Sequence, residues 1–263
     1  MKSLVLVKYV PDSNSVFRIR SDGTWVDESS LSFNINEFDR YALEELLALK
    51  DAGTVEEVVA LTVGPAAASS ALRTCLATGA DRAIHINDDA LVGADPLSLA
   101  RVIHAAIKDE GLSLVLAGLQ AEDDNYTQVG GLVAGLLDWP CASAAMSLSA
   151  DGDTLRVERE LENNETQVVD LTLPAVVTVQ TGINQPRYAS LKGIMAAKKK
   201  PVATIGLSDI GLDAAEVGGD AAKLRTVRLT QPPKGIGAEI LSGSADEIAA
   251  ALVNRIRENT GVI

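Results

Sequence analysis

Between Leu112 and Trp139 a strand, a polar loop and a helix follow one another without a break, and this unit leaves the chain few architectures. Leu112, Leu114, Val115, Leu116 and Ala117 form a short apolar run with no alternation, the pattern of a strand covered on both faces in a parallel sheet. Gly118 ends it. From Gln128 onward apolar residues recur every three or four positions, at Val129, Leu132, Val133, Leu136 and Leu137, which predicts a helix closed by Trp139-Pro140. The connection, Leu119 to Thr127, is too polar for core. Open α/β sheets take ligands where the carboxyl end of a strand feeds the start of a helix, because helix N–H groups and the dipole both favour an anion. A nucleotide phosphate is therefore expected at Tyr126 to Gly130; the competing reading is an ordinary strand-to-helix connection.

The first 140 residues repeat this alternation. Ser3 to Val7 is a strand, and the KYVPD directly after it begins neither a GxGxxG nor a GxxxxGK[ST] motif, which excludes the dinucleotide fingerprint and the P-loop. Val16 to Val26 alternates about Asp22-Gly23 and reads as a small hairpin. Asn36 to Leu49 predicts a helix capped by Asn36 or Asp39, with Glu44 and Glu45 expected in solvent. Val55 to Val63 is a second strand, Pro65 opens a helix over Ala66 to Ala77, Ala83 to Ile86 is a third strand, and Pro96 to Lys108 is another helix. His85 and His104 are read as packing residues rather than ligands. Farther on, Ala145 to Val157 and Glu165 to Thr172 alternate and suggest an antiparallel pair around Asp151-Gly152-Asp153 and a second turn at Asn163-Asn164, and Ala175 to Thr181 is the last strongly buried strand. The expected fold is α/β, a doubly wound and mostly parallel sheet with an antiparallel extension at one edge.

Beyond Gly182 the pattern weakens. Gln185 to Pro201 carries a polar loop, a short apolar segment and the triple lysine Lys198-Lys199-Lys200, while Gly218-Gly219 and Pro232-Pro233 interrupt the next fifty residues; Ser244 to Arg257 reads as a capped amphipathic helix. Residues 1–182 are thus expected as the nucleotide-binding domain and 183–263 as a C-terminal arm that lies on a partner. Aromatic residues are only 3% of 263 while apolar residues are 47%, so the core is aliphatic and an all-β sandwich is disfavoured. A formal charge of −13 argues against nucleic acid as partner. No apolar run reaches membrane-spanning length, membrane insertion is not expected, and the N-terminus has neither signal nor transit pattern, so a cytoplasmic location is expected. Cys75 and Cys141, without CxxC spacing, are expected as buried thiols, and no metal site is anticipated.

Three separated stretches, in order, resemble the β (small) subunit of electron transfer flavoproteins. They are Asn36 with Phe38 and Ala42-Leu43-Glu44-Glu45; Gly118 to Gly130 with Leu137-Asp138-Trp139-Pro140; and Pro186-Arg187-Tyr188 followed by Leu191, Ile194-Met195, Ala197 and the lysines. The resemblance covers essentially the whole chain. It implies a fold like that of the adenine nucleotide α-hydrolases and a heterodimer whose α subunit binds most of a redox-active FAD while the β subunit holds AMP. Electrons then come from flavin dehydrogenases, typically acyl-CoA dehydrogenases of fatty acid β-oxidation, and leave to a quinone oxidoreductase. By the same resemblance Leu6, Asn36, Glu37, Phe38, Asp39 and Val63 surround adenine and ribose, and Phe38 approaches the flavin. The loop residues Gly118, Gln120, Ala121, Asp123, Asp124, Asn125, Tyr126, Thr127, Gln128 and Val129 hold the rest of the nucleotide. Leu191 is the anchor entering a pocket on the dehydrogenase, with Pro186, Arg187, Tyr188, Ile194 and Met195 around it.

The acidic run Glu122-Asp123-Asp124 cannot hold phosphate by charge, so backbone N–H groups with Thr127 and Gln128 are expected to do so, the carboxylates facing ribose or solvent. Electron-bifurcating relatives carry a second FAD in place of AMP and a glycine near the position of Asp124, whose carboxylate is expected to crowd and repel a pyrophosphate. That favours AMP. Against it, Val10-Pro11-Asp12-Ser13 resembles the bifurcating kind. No nucleophile with its base and no catalytic carboxylate pair stands out, so a carrier subunit without its own turnover is expected. The alternatives are an ATP pyrophosphatase, which needs a glycine-rich loop after the first strand, and a homodimeric nucleotide sensor of the universal-stress type.

Overall fold

The computed structural model describes residues 1–235 and 237–261. Its centre is a nine-stranded sheet built around β1 (Lys2–Leu6), β4 (Glu57–Val63), β5 (Arg82–Ile86), β6 (Leu114–Gly118) and β10 (Ala175–Val179). β11 (Val202–Ile205) and β7 (Cys141–Asp151), followed by β8 (Thr154–Glu160) and β9 (Thr166–Thr172), complete the order β11-β5-β4-β1-β6-β10-β7-β8-β9. Every pair from β11 to β7 is parallel, and β7-β8-β9 are antiparallel.

Consecutive residues of the central strands enter opposite layers. Val5, Leu114, Leu116 and Val177 face α1 (Glu37–Asp51) and α2 (Ser69–Thr78), whereas Leu4, Leu6, Val115 and Val176 face α3 (Pro96–Ile107) and α4 (Val129–Leu137). Two buried faces explain the unalternating apolar runs. The doubly wound reading therefore stands. From β1 the chain winds outward through β4 and β5, then returns to the other side of β1 as β6; this reversal puts the topological switch point between β1 and β6.

Several local expectations shift. The proposed hairpin over 16–26 reduces to one bridge, Ile19 with Val26, and the segment leads instead to β3 (Phe33–Ile35), which pairs with β2 (Tyr9–Pro11) in a separate ribbon. Tyr9 and Phe33 stack there at 5.1 Å. The antiparallel extension follows the expected turns: Ala145 to Val157 folds back at Asp151 as β7 and β8, and β9 follows the turn at Asn163-Asn164. Cys75 is buried, but Cys141 is exposed at the start of β7. His85 is buried, with Nε2 3.0 Å from the Gly64 carbonyl; His104 is half-buried.

Residues past 182 do not leave the sheet at once. α5 (Leu191–Ala197) rests on α2, and β11 joins β5 in parallel from Val202↔Ala83 to Ile205↔Ile86. Leu207 and Val217 of the following turns and α6 (Ala214–Val217) add to the α3 layer. A four-residue strand cannot be separated from loop by periodicity, and it is half-exposed because it forms an edge. Beyond it, α7 (Ala245–Thr260) begins with the expected box, Ser244 with Glu247, and buries no residue. Among the described residues no helix is long and apolar enough to cross a membrane.

The second glycine of the Gly130-Gly131 pair is open, but the first is tight: a Cβ on Gly130 would sit 2.4 Å from Thr178 Cγ2 of β10. Gly130→Ala is therefore expected to push α4 off the sheet. The overpacking cost of about 1–3 kcal/mol exceeds the helix-propensity gain of up to about 1 kcal/mol, so the urea midpoint should fall. Gly131→Ala should leave it unchanged or raise it.

Candidate functional site

The β1–β6 ladder runs only from Ser3↔Leu114 to Val5↔Leu116. Past it the two strands enter Lys8 and Gly118, whose N–H groups need other acceptors. Asp39 provides both, taking Lys8 N on Oδ2 at 2.7 Å and Gly118 N on Oδ1 at 3.0 Å. It can approach so closely because Gly118 has no side chain: a Cβ there would lie 2.5 Å from Asp39 Oδ1 and from Phe38 Cβ. Burial pushes the Asp39 carboxyl up to about 7, against the lowering effect of those N–H bonds and of Asn36.

The start of α1 departs from the expected capping. Asn36 occupies the cap position but makes no side-chain cap bond; its Nδ2 donates to the Gln120 carbonyl at 2.9 Å and its Oδ1 accepts Glu122 N at 3.1 Å. Glu37 N in turn donates to Glu122 Oε2 at 3.1 Å. Cap-type side chains are thus spent on fastening the loop after β6 to α1. Phe38 is half-buried beside Gly118.

Asp123 and Asp124 are exposed, as expected, but they are not free. Lys8 Nζ pairs with Asp123 Oδ1 and with Asp124 Oδ2, each at 2.7 Å. Burial opposes its charge, yet the two carboxylates prevail and hold the ammonium above its ordinary pKa. Asp124 Oδ1 also accepts Tyr126 N at 3.1 Å, which takes that donor away from any phosphate. Lys8 is not among the expected site residues; a basic residue directly after the central strand, opposite an acidic loop, is the available signal. Its single positive charge offsets one of the two carboxylates and leaves the pair net negative.

Asn125 and Thr127 take left-handed backbone, at φ 53° and 57°, and Asn125 N returns to the Ala121 carbonyl at 2.9 Å. Tyr126, Thr127 and Gln128 are exposed, and α4 starts at Val129 with no side-chain cap. The first N–H groups of a helix have no partner inside it, so this end offers anion donors near Thr127 and Gln128. Leu6 belongs to the α3–α4 core, and Val63 ends β4 on the far side of β1 from β6. Beside the loop lies a cleft of about 560 Å³ lined by Tyr9, Val10, Ser13, Phe33, Glu37 and Arg40 among others.

The second cluster is attached farther along α1, at Glu44 and Glu45. Tyr188, Leu191, Ile194 and Met195 are exposed by 87, 79, 46 and 58%. Four large apolar side chains together in water are unusual for a free surface. Pro186 is half-buried at the base of this patch, and Arg187 pairs with Glu44 at 2.8 Å and Asp51 at 2.9 Å. Glu44 and Glu45 are therefore buried, not solvated, because this segment covers them.

Replacing Asp39 tests the clamp through pH. A carboxyl whose pKa rises on folding contributes stability that is complete below the unfolded value of about 3.9. That contribution is lost as pH rises through about 7. The stability of wild type relative to Asp39→Asn should therefore fall between pH 5 and 7 by up to about 1.4 kcal/mol per pH unit in denaturant titrations. A difference independent of pH would mean that the carboxylate is not desolvated.

Residues 23–210 match the family model described as electron transfer flavoprotein domain. Over 264 aligned residues, 99% of this chain and all of the relative, the chain is 41% identical to the electron transfer flavoprotein subunit beta of Methylophilus methylotrophus. It is 38% identical to those of Bradyrhizobium diazoefficiens, over the full length of both chains, and Sus scrofa, over 98% of this chain and 97% of the relative. A match of this extent, on a doubly wound sheet of this order, means that the chain belongs to the electron transfer flavoprotein β-subunit family.

Proposed function

We propose that this chain is the β subunit of a heterodimeric electron transfer flavoprotein, an electron carrier without turnover of its own. In this reading the α subunit binds most of the FAD, AMP is held as a structural ligand at the β1–β6 crevice, electrons arrive from flavin dehydrogenases such as acyl-CoA dehydrogenases, and a quinone oxidoreductase receives them. The observation that carries the reading is the exposed apolar patch of Tyr188, Leu191, Ile194 and Met195 on a segment fixed to the same helix that borders the crevice. Leu191 is the expected anchor: one apolar side chain in a pocket, ringed by weaker contacts, suits an encounter that is specific and brief.

The crevice fits an adenylate in its chemistry. The uncapped start of α4 supplies phosphate donors, Thr127 and Gln128 stand exposed beside it, and the loop is held in place by Asn36 and Lys8. FAD, when bound, supplies the capacity to accept and release electrons; the contribution of this chain is a supporting wall, for which the cleft lined by Tyr9 and Phe33 is suited. The unburied α7 is suited to lie on the α subunit.

A second reading, an electron-bifurcating subunit with a second FAD, is favoured by two features. Val10-Pro11-Asp12-Ser13 resembles the bifurcating kind, and Lys8 offsets one of the carboxylates that would otherwise repel a pyrophosphate. Nucleotide analysis separates the two. Co-expression with an α subunit should yield a complex with one FAD that releases AMP on denaturation, and removing residues 225–263 should weaken that complex. Two FAD and no AMP would select the second reading, and a flavin-free homodimer would refute both. Leu191→Ala should slow reduction by an acyl-CoA dehydrogenase at least about tenfold at limiting dehydrogenase, the loss of one anchor worth about 1.4 kcal/mol or more, with FAD content unchanged.

A further inference from the structure

Two adjacent carboxylates on α1, Glu44 and Glu45, are buried, which is costly unless each is paired. Both partners come from the segment that leads into the apolar patch. Glu44 accepts Arg187 N at 3.0 Å, Nε at 2.9 and 3.0 Å, and Nη2 at 2.8 Å. Glu45 accepts Asn184 Nδ2 at 2.9 Å, and the same amide donates to the Tyr41 carbonyl at 3.0 Å. Arg40, on the same helix, stands over the Tyr188 ring at 5.8 Å.

The far end of the segment is fastened independently. Arg73 of α2 donates to the Ala197 carbonyl at 2.9 Å, and Lys200 donates to Leu76 and Ala80 at 3.0 and 2.6 Å. A Cβ on Gly193 would lie 2.2 Å from the Ala77 carbonyl, so α5 sits against α2 with no room to shift. Between these fixed points Leu191 projects into water. A bidentate guanidinium–carboxylate contact adds geometric precision as well as energy, and buried ionic groups are retained best where they set registry.

We propose that Glu44 is a positioning residue for partner recognition: with Glu45 it latches Arg187 and Asn184 to α1, so that Leu191 and its neighbours are presented in a single pose to the docking protein. The proposal rests on the reading that this patch meets a flavin dehydrogenase. The latch sets how readily the dehydrogenase is captured, not how fast electrons cross once it is seated.

Glu44→Gln and Asn184→Ala, made separately in the α–β heterodimer, test it. Amide hydrogen exchange over residues 186–195 should rise at least tenfold. KM for a reduced acyl-CoA dehydrogenase should rise about tenfold, while FAD content and the rate at saturating dehydrogenase stay at wild-type values. Wild-type exchange in both variants would overturn the latch. Raised exchange with an unchanged KM would overturn the positioning role if Leu191→Ala does raise KM. If Leu191→Ala also leaves KM unchanged, the docking reading itself fails and takes the proposal with it.

Discussion

The structure turns on one buried carboxylate. Adjacent parallel strands β1 and β6 stop pairing at Val5 and Leu116, which leaves a crevice at the switch point, where open sheets of this kind take ligands. The N–H groups stranded there would be costly to bury without acceptors. Asp39 accepts both, and the missing Cβ of Gly118 lets α1 come close enough for it to do so. Because the carboxylate is fully enclosed, holding it ionised costs much of what its bonds return, which is why its pKa is raised to about 7.

α1 is accordingly more than a cover for the sheet. Its apolar face, with Ala42, Leu43, Leu46 and Leu47, supplies the burial that stabilises it, while its polar side chains reach two separate places. Asn36 and Asp39, at the start, hold the loop after β6; Glu44 and Glu45, two turns on, hold the segment before α5. A helix with buried polar contacts in both directions fixes the β1–β6 crevice and the exposed apolar patch in one frame.

Charge in the loop follows the same logic. A chain with formal charge −13 places three carboxylates beside a site expected to hold phosphate, which would be unfavourable if they faced it. Lys8 draws Asp123 and Asp124 toward β1, and Glu122 turns to Glu37 N. One ammonium offsets one of the three carboxylates, so the loop stays net negative beside Asn125 to Gln128.

The sequence alone determined the layers. Apolar runs without alternation require cover on both faces, and helical periodicity between them supplies that cover, so the doubly wound sheet, the switch-point loop and the start of α4 are legible from residue pattern. The family motifs mark Asn36, Asp39, Gly118 and Leu191 in the same way. What tertiary structure decided is which partner each polar side chain takes. Lys8 and Asp124 are 116 residues apart and Glu44 and Arg187 are 143 apart, and no local pattern encodes such pairings. For that reason helical pattern predicts Glu44 and Glu45 in solvent when the returning segment buries them, and it predicts Asn36 as a cap when it ties a loop. Val202–Ile205 falls in the expected arm for the same reason: a short edge strand is defined by its neighbour β5, not by its own residues.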